Sequence, residues 1–102
     1  MSANLLEETK ADLSDNHKTP KDVLWIGTAD GSKAIIWEAF EEMANFDYDS
    51  GYGKAEIRLD LVVVGKDWWL ERYEYDGAEW WVYKEQPKLL ENHEKLIRLL
   101  GD

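Results

Sequence analysis

Trp68-Trp69-Leu70-Glu71-Arg72-Tyr73-Glu74-Tyr75-Asp76-Gly77-Ala78-Glu79-Trp80-Trp81-Val82-Tyr83 holds four of the six tryptophans of the chain in a single run. Aromatic and β-branched residues flank Asp76-Gly77. That pair favours a two-residue type I′ turn, because both central positions need positive φ, which glycine adopts freely and aspartate tolerates. The run therefore reads as a β-hairpin with Tyr75 opposite Ala78, Glu74 opposite Glu79, Tyr73 opposite Trp80, Arg72 opposite Trp81 and Leu70 opposite Tyr83. Alternation sorts the side chains onto two faces. Trp69, Glu71, Tyr73 and Tyr75 share one face with Trp80 and Val82; Trp68, Leu70, Arg72 and Glu74 share the other with Glu79, Trp81 and Tyr83. Both faces are aromatic. Helices covering only one of them leave large rings of the other in water, more apolar surface than a small monomer exposes without a use.

Working outward, Leu59, Leu61, Val62, Val63 and Val64 form a β-branched run that ends at Gly65-Lys66-Asp67, and apolar residues on both parities predict a central strand. Val23 to Thr28 reads as a further strand, Asp30-Gly31 as a tight turn and Lys33 to Ile36 as its return strand; the alternative is a helix capped by Ser32 and starting at Lys33. Trp37 to Asn45 is predicted helical, with Trp37, Phe40 and Ala44 facing the core and Glu38, Glu41 and Glu42 facing water. Asp47 to Gly53 is a turn-rich loop. Residues 3–13 form a short helix behind a Ser2 cap, its apolar stripe reduced to Leu5, Leu6 and Leu13, and a loop follows up to Pro20. Pro87 suits the first turn of a last helix, with Leu89, Leu90, Leu96, Ile97 and Leu100 as its buried stripe and Gly101 as its stop. The expected organisation is residues 1–21 as an N-terminal helix and linker, frayed where the stripe is thin, and 22–102 as a single α+β domain. Its element order is β-β-α-β-β-β-α, a mostly antiparallel sheet of about five strands with helices packed on it.

The totals narrow the function classes. A chain of 102 residues is one domain, able to bury roughly two thirds of its unfolded surface around a single core. Without cysteine it has no disulfide framework, thiolate nucleophile or zinc-thiolate cluster, and a reducing cytoplasm is the expected setting. Glu7, Glu8, Asp12 and Asp15 stand where a signal peptide would carry a basic start and an apolar stretch, so none is expected. No apolar run approaches membrane-spanning length. The net charge of −10 argues against nonspecific attraction to nucleic acid or anionic lipid and favours a basic or neutral protein surface as partner. Residues 38–79 carry twelve acids against Lys54, Arg58, Lys66 and Arg72, which makes the middle of the chain its anionic part.

On the hairpin, Glu74 opposite Glu79 is a like-charge pair that calls for a cation. Arg72 supplies one, lying against Trp81 in a cation-π contact while its guanidinium reaches Glu74 or Glu79. The cluster either ties the hairpin together or anchors an Arg or Lys of a partner. On the second reading the partner-binding residues are Trp68, Arg72, Glu74, Glu79, Trp81 and Tyr83. A secondary acidic strip of Glu38, Glu41, Glu42, Asp47 and Asp49, joined by Asp60, Glu71, Glu74, Asp76 and Glu79, has the spacing to imitate phosphates, interrupted by Lys54, Arg58 and Arg72. Catalytic and metal sites are expected to be absent, and no cofactor is implied. Asp47-Tyr48-Asp49-Ser50-Gly51 begins like a calcium loop, yet Tyr52 stands where an EF-hand needs glycine and Arg58 where it needs a bidentate Glu. His17 and His93 lack ligand spacing. Glu71, Glu74, Asp76 and Glu79 beside tryptophans have the residue types of a glycosidase, but carboxylates on one small hairpin read as solvated. No phosphate loop or nucleophile elbow is present.

Trp69-Leu70-Glu71-Arg72, Glu74-Tyr75-Asp76-Gly77 and Glu79-Trp80-Trp81 together resemble short uncharacterised proteins of phages and prophages of Gram-positive bacteria, over the stretch from Trp25 to Pro87. The resemblance implies no reaction. It implies a setting in which small proteins act by binding a host enzyme or defence complex. The expected function is thus a small acidic, non-enzymatic binding protein of phage or mobile-element type. It would act in the cytoplasm of a bacterial host cell and grip a host protein through the hairpin as an inhibitor. One alternative is a nucleic-acid mimic that blocks a DNA- or RNA-binding protein; another is a homodimerising module that buries its aromatic face against a second copy.

Overall fold

The computed structural model describes residues 2–51 and 53–101. Along the chain run β1 (Ser2–Asn4), α1 (Leu5–Asp15), β2 (Trp25–Thr28), β3 (Ala34–Ile35), α2 (Trp37–Met43), β4 (Asp47–Asp49), β5 (Leu61–Val64), β6 (Trp68–Tyr75) and β7 (Ala78–Glu85), with one 3-10 turn at Pro20–Asp22. Five strands form an antiparallel sheet in the order β3-β2-β5-β6-β7, and β1 pairs with β4 in a separate two-stranded ribbon. The fold is α+β and mostly sheet, as the patterning predicts.

Asp76 and Gly77 take φ of 51° and 87°, the double positive φ of a type I′ turn. The hairpin register follows from it, Tyr75 to Ala78 through Trp68 to Glu85. β5 lies between β2 and β6, with Val63 opposite Ile26 on one side and Leu70 on the other. All three side chains are fully shielded, and on the other face Val62 is buried and Val64 half-buried, which explains why apolar residues occupy successive positions in β5. Gly27 in β2 lets β3 approach: a Cβ there would sit 2.0 Å from the Lys33 carbonyl oxygen.

Both helices cover the same face of the sheet. Leu5, Leu6 and Leu13 of α1 and Trp37 and Phe40 of α2 form one core with Ile26, Val63, Trp68, Leu70 and Trp81. Residue 21 therefore divides no packing units, since α1 belongs to the same core as the sheet. Its cap is Asn4, whose side chain accepts from the Glu7 amide at 3.0 Å, rather than Ser2; Ser2 begins a strand that pairs with Asp49 in the expected loop. β3 is the short return strand, and the alternative helix from Lys33 does not form.

The largest departure lies after Glu85. Residues 86–101 contain no helix, and Leu89, Leu90, Leu96, Ile97 and Leu100, expected to be a buried stripe, are all exposed. The reason is competition for a surface. A segment this short is marginal as an isolated helix and needs a face to pack on, and α1 and α2 already fill the inner face of the sheet. The root of the segment is tied to the sheet by Gln86 N–H donating to the Asp67 carbonyl at 2.7 Å and by Lys88 Nζ beside the Asp67 carboxylate at 2.9 Å.

Candidate functional site

The inner face of the hairpin carries a polar cluster inside the protein. The Arg72 guanidinium donates to Glu79 Oε1 at 3.1 Å, to Tyr48 Oη at 2.9 Å and to Glu8 Oε1 at 3.3 Å, and it lies 4.8 Å from the Trp81 ring centroid. Tyr48 Oη in turn donates to Glu8. Glu79 accepts from the backbone amides of Glu56 at 2.7 Å and Ile57 at 3.1 Å. Trp81 Nε1 donates to Thr9 Oγ1 at 2.9 Å, whose own hydroxyl donates to the Leu5 carbonyl one helical turn back. Each bond joins a different part of the chain to the hairpin: α1 through Glu8 and Thr9, β4 through Tyr48, and the segment before β5 through Glu56 and Ile57.

The electrostatics suit that clasp. Burial disfavours the Arg72 charge, but Tyr48, Glu8 and Glu79 more than offset it and hold the guanidinium above its ordinary range. Burial and the bond to Glu8 push the Tyr48 phenol up to about 12, so it keeps its proton and donates. Asp12, one turn beyond Glu8 on α1, is raised to about 6 by burial, then by Glu8 and Asp15, with Arg72 acting in the opposite direction.

These contacts correct the expected partner site. Arg72 does stack on Trp81 and does reach Glu79, but Trp68, Arg72, Glu79 and Trp81 are buried and offer nothing to a partner. Glu74 and Tyr83 are half-buried, Glu74 accepting from the Gly77 amide across the turn at 3.0 Å and Tyr83 stacking on Trp68 at 5.9 Å between ring centroids. Burial of this face has a plain cause. Glu8, Tyr48 and the Glu56 and Ile57 amides meet the charges of Arg72 and Glu79, with Arg72 Nε the one buried donor of the cluster left without an acceptor among the described residues, and a charge can leave water only when it is so met.

The open face of the sheet is the other one. Trp25 and Gly27 of β2, Val62 and Val64 of β5, Trp69, Glu71, Tyr73 and Tyr75 of β6, and Trp80, Val82 and Lys84 of β7 lie on it by register. Tyr73 is 50% exposed, Tyr75 69% and Trp80 38%, and the Tyr73 and Trp80 rings meet at 5.3 Å with their planes tilted. In its centre Trp69 Nε1 donates to Glu71 Oε1 at 2.7 Å, and Lys84 Nζ approaches Glu71 Oε2 at 3.3 Å. Beside them is a hollow of about 330 Å³, lined by Trp25, Leu59, Val62, Val64, Trp69 and Glu71 among others. The arrangement is a broad apolar surface with one ion pair, Glu71–Lys84, near its middle.

Both hairpin faces were legible in the sequence, but which one opens to water was not. The signal for it was indirect: the outer row continues through Trp25, Val62 and Val64 on neighbouring strands, and the inner row holds the charges that need partners. Nothing in the sequence announced Glu8, Thr9 or Tyr48 as those partners. Of the acidic strip, Glu38, Glu41 and Glu42 lie exposed on α2, with Lys10 3.9 Å from Glu41, while Asp47 and Asp49 lie on β4. These five thus border the helical layer, away from the open sheet face. His17 and His93 are exposed, and among the described residues no group of three or more His, Cys, Asp or Glu is placed to hold a metal ion. Among the same residues no helix is long and apolar enough to cross a membrane. No protein-family model, curated protein or solved structure matches the chain.

Proposed function

We propose that this is a small non-enzymatic protein-binding module whose docking surface is the open face of the five-stranded sheet. Its occupant is an apolar protein segment of neutral or positive charge. One observation carries the reading: Trp69, Tyr73, Tyr75 and Trp80 stand together on a face that no helix among the described residues covers, while the core closes without them. Large exposed apolar patches mark interaction sites, and rigid aromatic side chains are the residues that anchor them. The net charge of −10 selects against acidic partners.

The test uses two synthetic amphipathic peptides, one of Leu and Lys and one of Leu and Glu, followed by tryptophan fluorescence and calorimetry. The Leu/Lys peptide is expected to bind, at least tenfold more tightly than the Leu/Glu peptide, and Trp80→Ala with Tyr73→Ala is expected to abolish binding while leaving the unfolding midpoint nearly unchanged. Failure of both peptides to bind, or equal binding by the folded double variant, overturns the reading.

A further inference from the structure

We propose that the C-terminal segment of one copy of this chain folds as an amphipathic helix across the open sheet face of a second copy, an arm exchange that makes the protein a dimer. The inference rests on that face being a protein-docking surface, and it names the occupant. The chain holds two unpartnered apolar surfaces of complementary kind. One is the sheet face around Trp69, Tyr73 and Trp80. The other is the segment after Pro87, where Leu89, Leu90, Leu96, Ile97, Leu99 and Leu100 are between 71% and 90% exposed.

Spacing gives that segment a helical stripe. Leu89, His93, Leu96 and Leu100 recur at intervals of four, three and four residues, with Ile97 beside them. On the opposite side, Glu91 precedes Lys95 and Glu94 precedes Arg98 by four residues, the favourable order for helical ion pairs. Leu, Lys, Glu and Arg are strong helix formers, and what the segment lacks is a surface to pack on. Its dimensions match the open face. Thirteen helical residues, 88–100, span about 20 Å, and five strands about 4.8 Å apart span about 19 Å.

Charge points the same way. Residues 86–101 carry Lys88, Lys95 and Arg98 against Glu91 and Glu94, in a chain whose net charge is −10. On the face itself Glu71 is already paired with Lys84, so the attraction is between the net-positive arm and the acidic remainder of a second copy. Geometry favours a second copy over the chain's own sheet. Gln86 and Lys88 contact Asp67 at the β5–β6 turn, so the arm starts at the end of the sheet. It extends from the body: the Cα radius of gyration is 16.2 Å, against roughly 13 Å for a compact domain of this length. A stable interface buries about 1,200–2,000 Å² in total, the area that two exchanged arms would have to supply.

The experiment is light scattering on the full chain, with two variants studied alone and mixed. Leu96→Asp with Ile97→Asp spoils the arm, and Trp69→Ser with Trp80→Asp spoils the face; both sets are exposed or half-exposed in the single chain. The wild type is expected to be a dimer, and each variant alone is expected to dissociate at least tenfold more readily. A mixture of the two is expected to recover heterodimer, because one intact arm still meets one intact face. A strictly monomeric wild type overturns the arm exchange, as does a dimer that survives the arm variant or a mixture that recovers nothing. The Leu/Lys peptide separates the failures: a monomer that still binds it retains the docking face and loses only the arm as its occupant, and a monomer that binds no peptide loses both.

Discussion

Glu74 and Glu79 face each other directly across the hairpin, on the same side of the sheet, and replacing each with glutamine is expected to have very different consequences. The Glu79 side chain is fully shielded and accepts three donors: the Glu56 amide, the Ile57 amide and the Arg72 guanidinium. A glutamine at 79 fills the same volume. Its amide nitrogen, however, turns a donor toward at least one of those three donors, and the Arg72 charge keeps only Glu8 for a counterion. Breaking a buried ion pair from one side costs about 3–5 kcal/mol, a large part of the roughly 5–15 kcal/mol that holds a domain folded. With a urea m-value of about 1.5 kcal/mol per molar, within the usual span for small domains, the midpoint of Glu79→Gln should fall by about 2–3 M. Among the described residues Glu74 bonds only to the Gly77 amide, in a partly solvated turn. Glu74→Gln relieves a like-charge contact while keeping an acceptor, and should move stability by less than about 1 kcal/mol. Urea titrations of both variants, followed by tryptophan fluorescence, decide the matter. Equal midpoints, or a loss at Glu79 below about 1 kcal/mol, would refute the account of the interior clasp, because no partner-dependent charge would then be buried there.

Three further outcomes follow from single contacts. Asp12 titrates near 6 when folded and near its ordinary 3.8 when unfolded, so the folded state holds the proton more firmly and stability falls as pH rises between those values. Asp12→Asn should therefore melt with the wild type near pH 4 and above it from about pH 7 upward; an advantage that does not grow with pH contradicts the raised titration. Thr9→Val keeps the volume but removes the acceptor of Trp81 Nε1, and should cost about 1–3 kcal/mol in chemical denaturation. Gly77→Ala places a Cβ at φ 87° and 2.8 Å from the Gly53 carbonyl oxygen. The left-handed conformation alone costs about 1–2 kcal/mol, so a variant as stable as the wild type would rule out the type I′ turn.

How much was legible depends on how local the cause is. Asp76-Gly77 sets the hairpin register by itself, because a two-residue turn with positive φ at both positions allows only one pairing. The β-branched run before Gly65 identified the central strand for the same kind of reason. The choice of buried face is not local. It is made by Glu8 and Thr9, 64 and 72 residues from the hairpin residues they bond, and by Tyr48, 24 residues from Arg72. No period or spacing in the hairpin encodes those partners, so the residues best equipped to grip a partner in water, Arg72 and Trp81, proved to be gripped from within.

The two ends of the chain show the same logic in competition. The N-terminal stripe of Leu5, Leu6 and Leu13 is thinner than the C-terminal one of Leu89, Leu90, Leu96, Ile97 and Leu100, and on apolar content alone the C-terminal segment should be the helix that covers the sheet. The N-terminal segment prevails because it also carries Glu8 for Arg72 and Thr9 for Trp81. Leaving a buried donor unsatisfied costs about 1–3 kcal/mol, and more when it is charged, so the two bonds together weigh against the two extra apolar residues of the C-terminal stripe. Polar satisfaction thus selects the cover, and apolar content is left over. What remains is a leucine-rich arm and an aromatic sheet face, two surfaces on one chain, each of the kind the other needs.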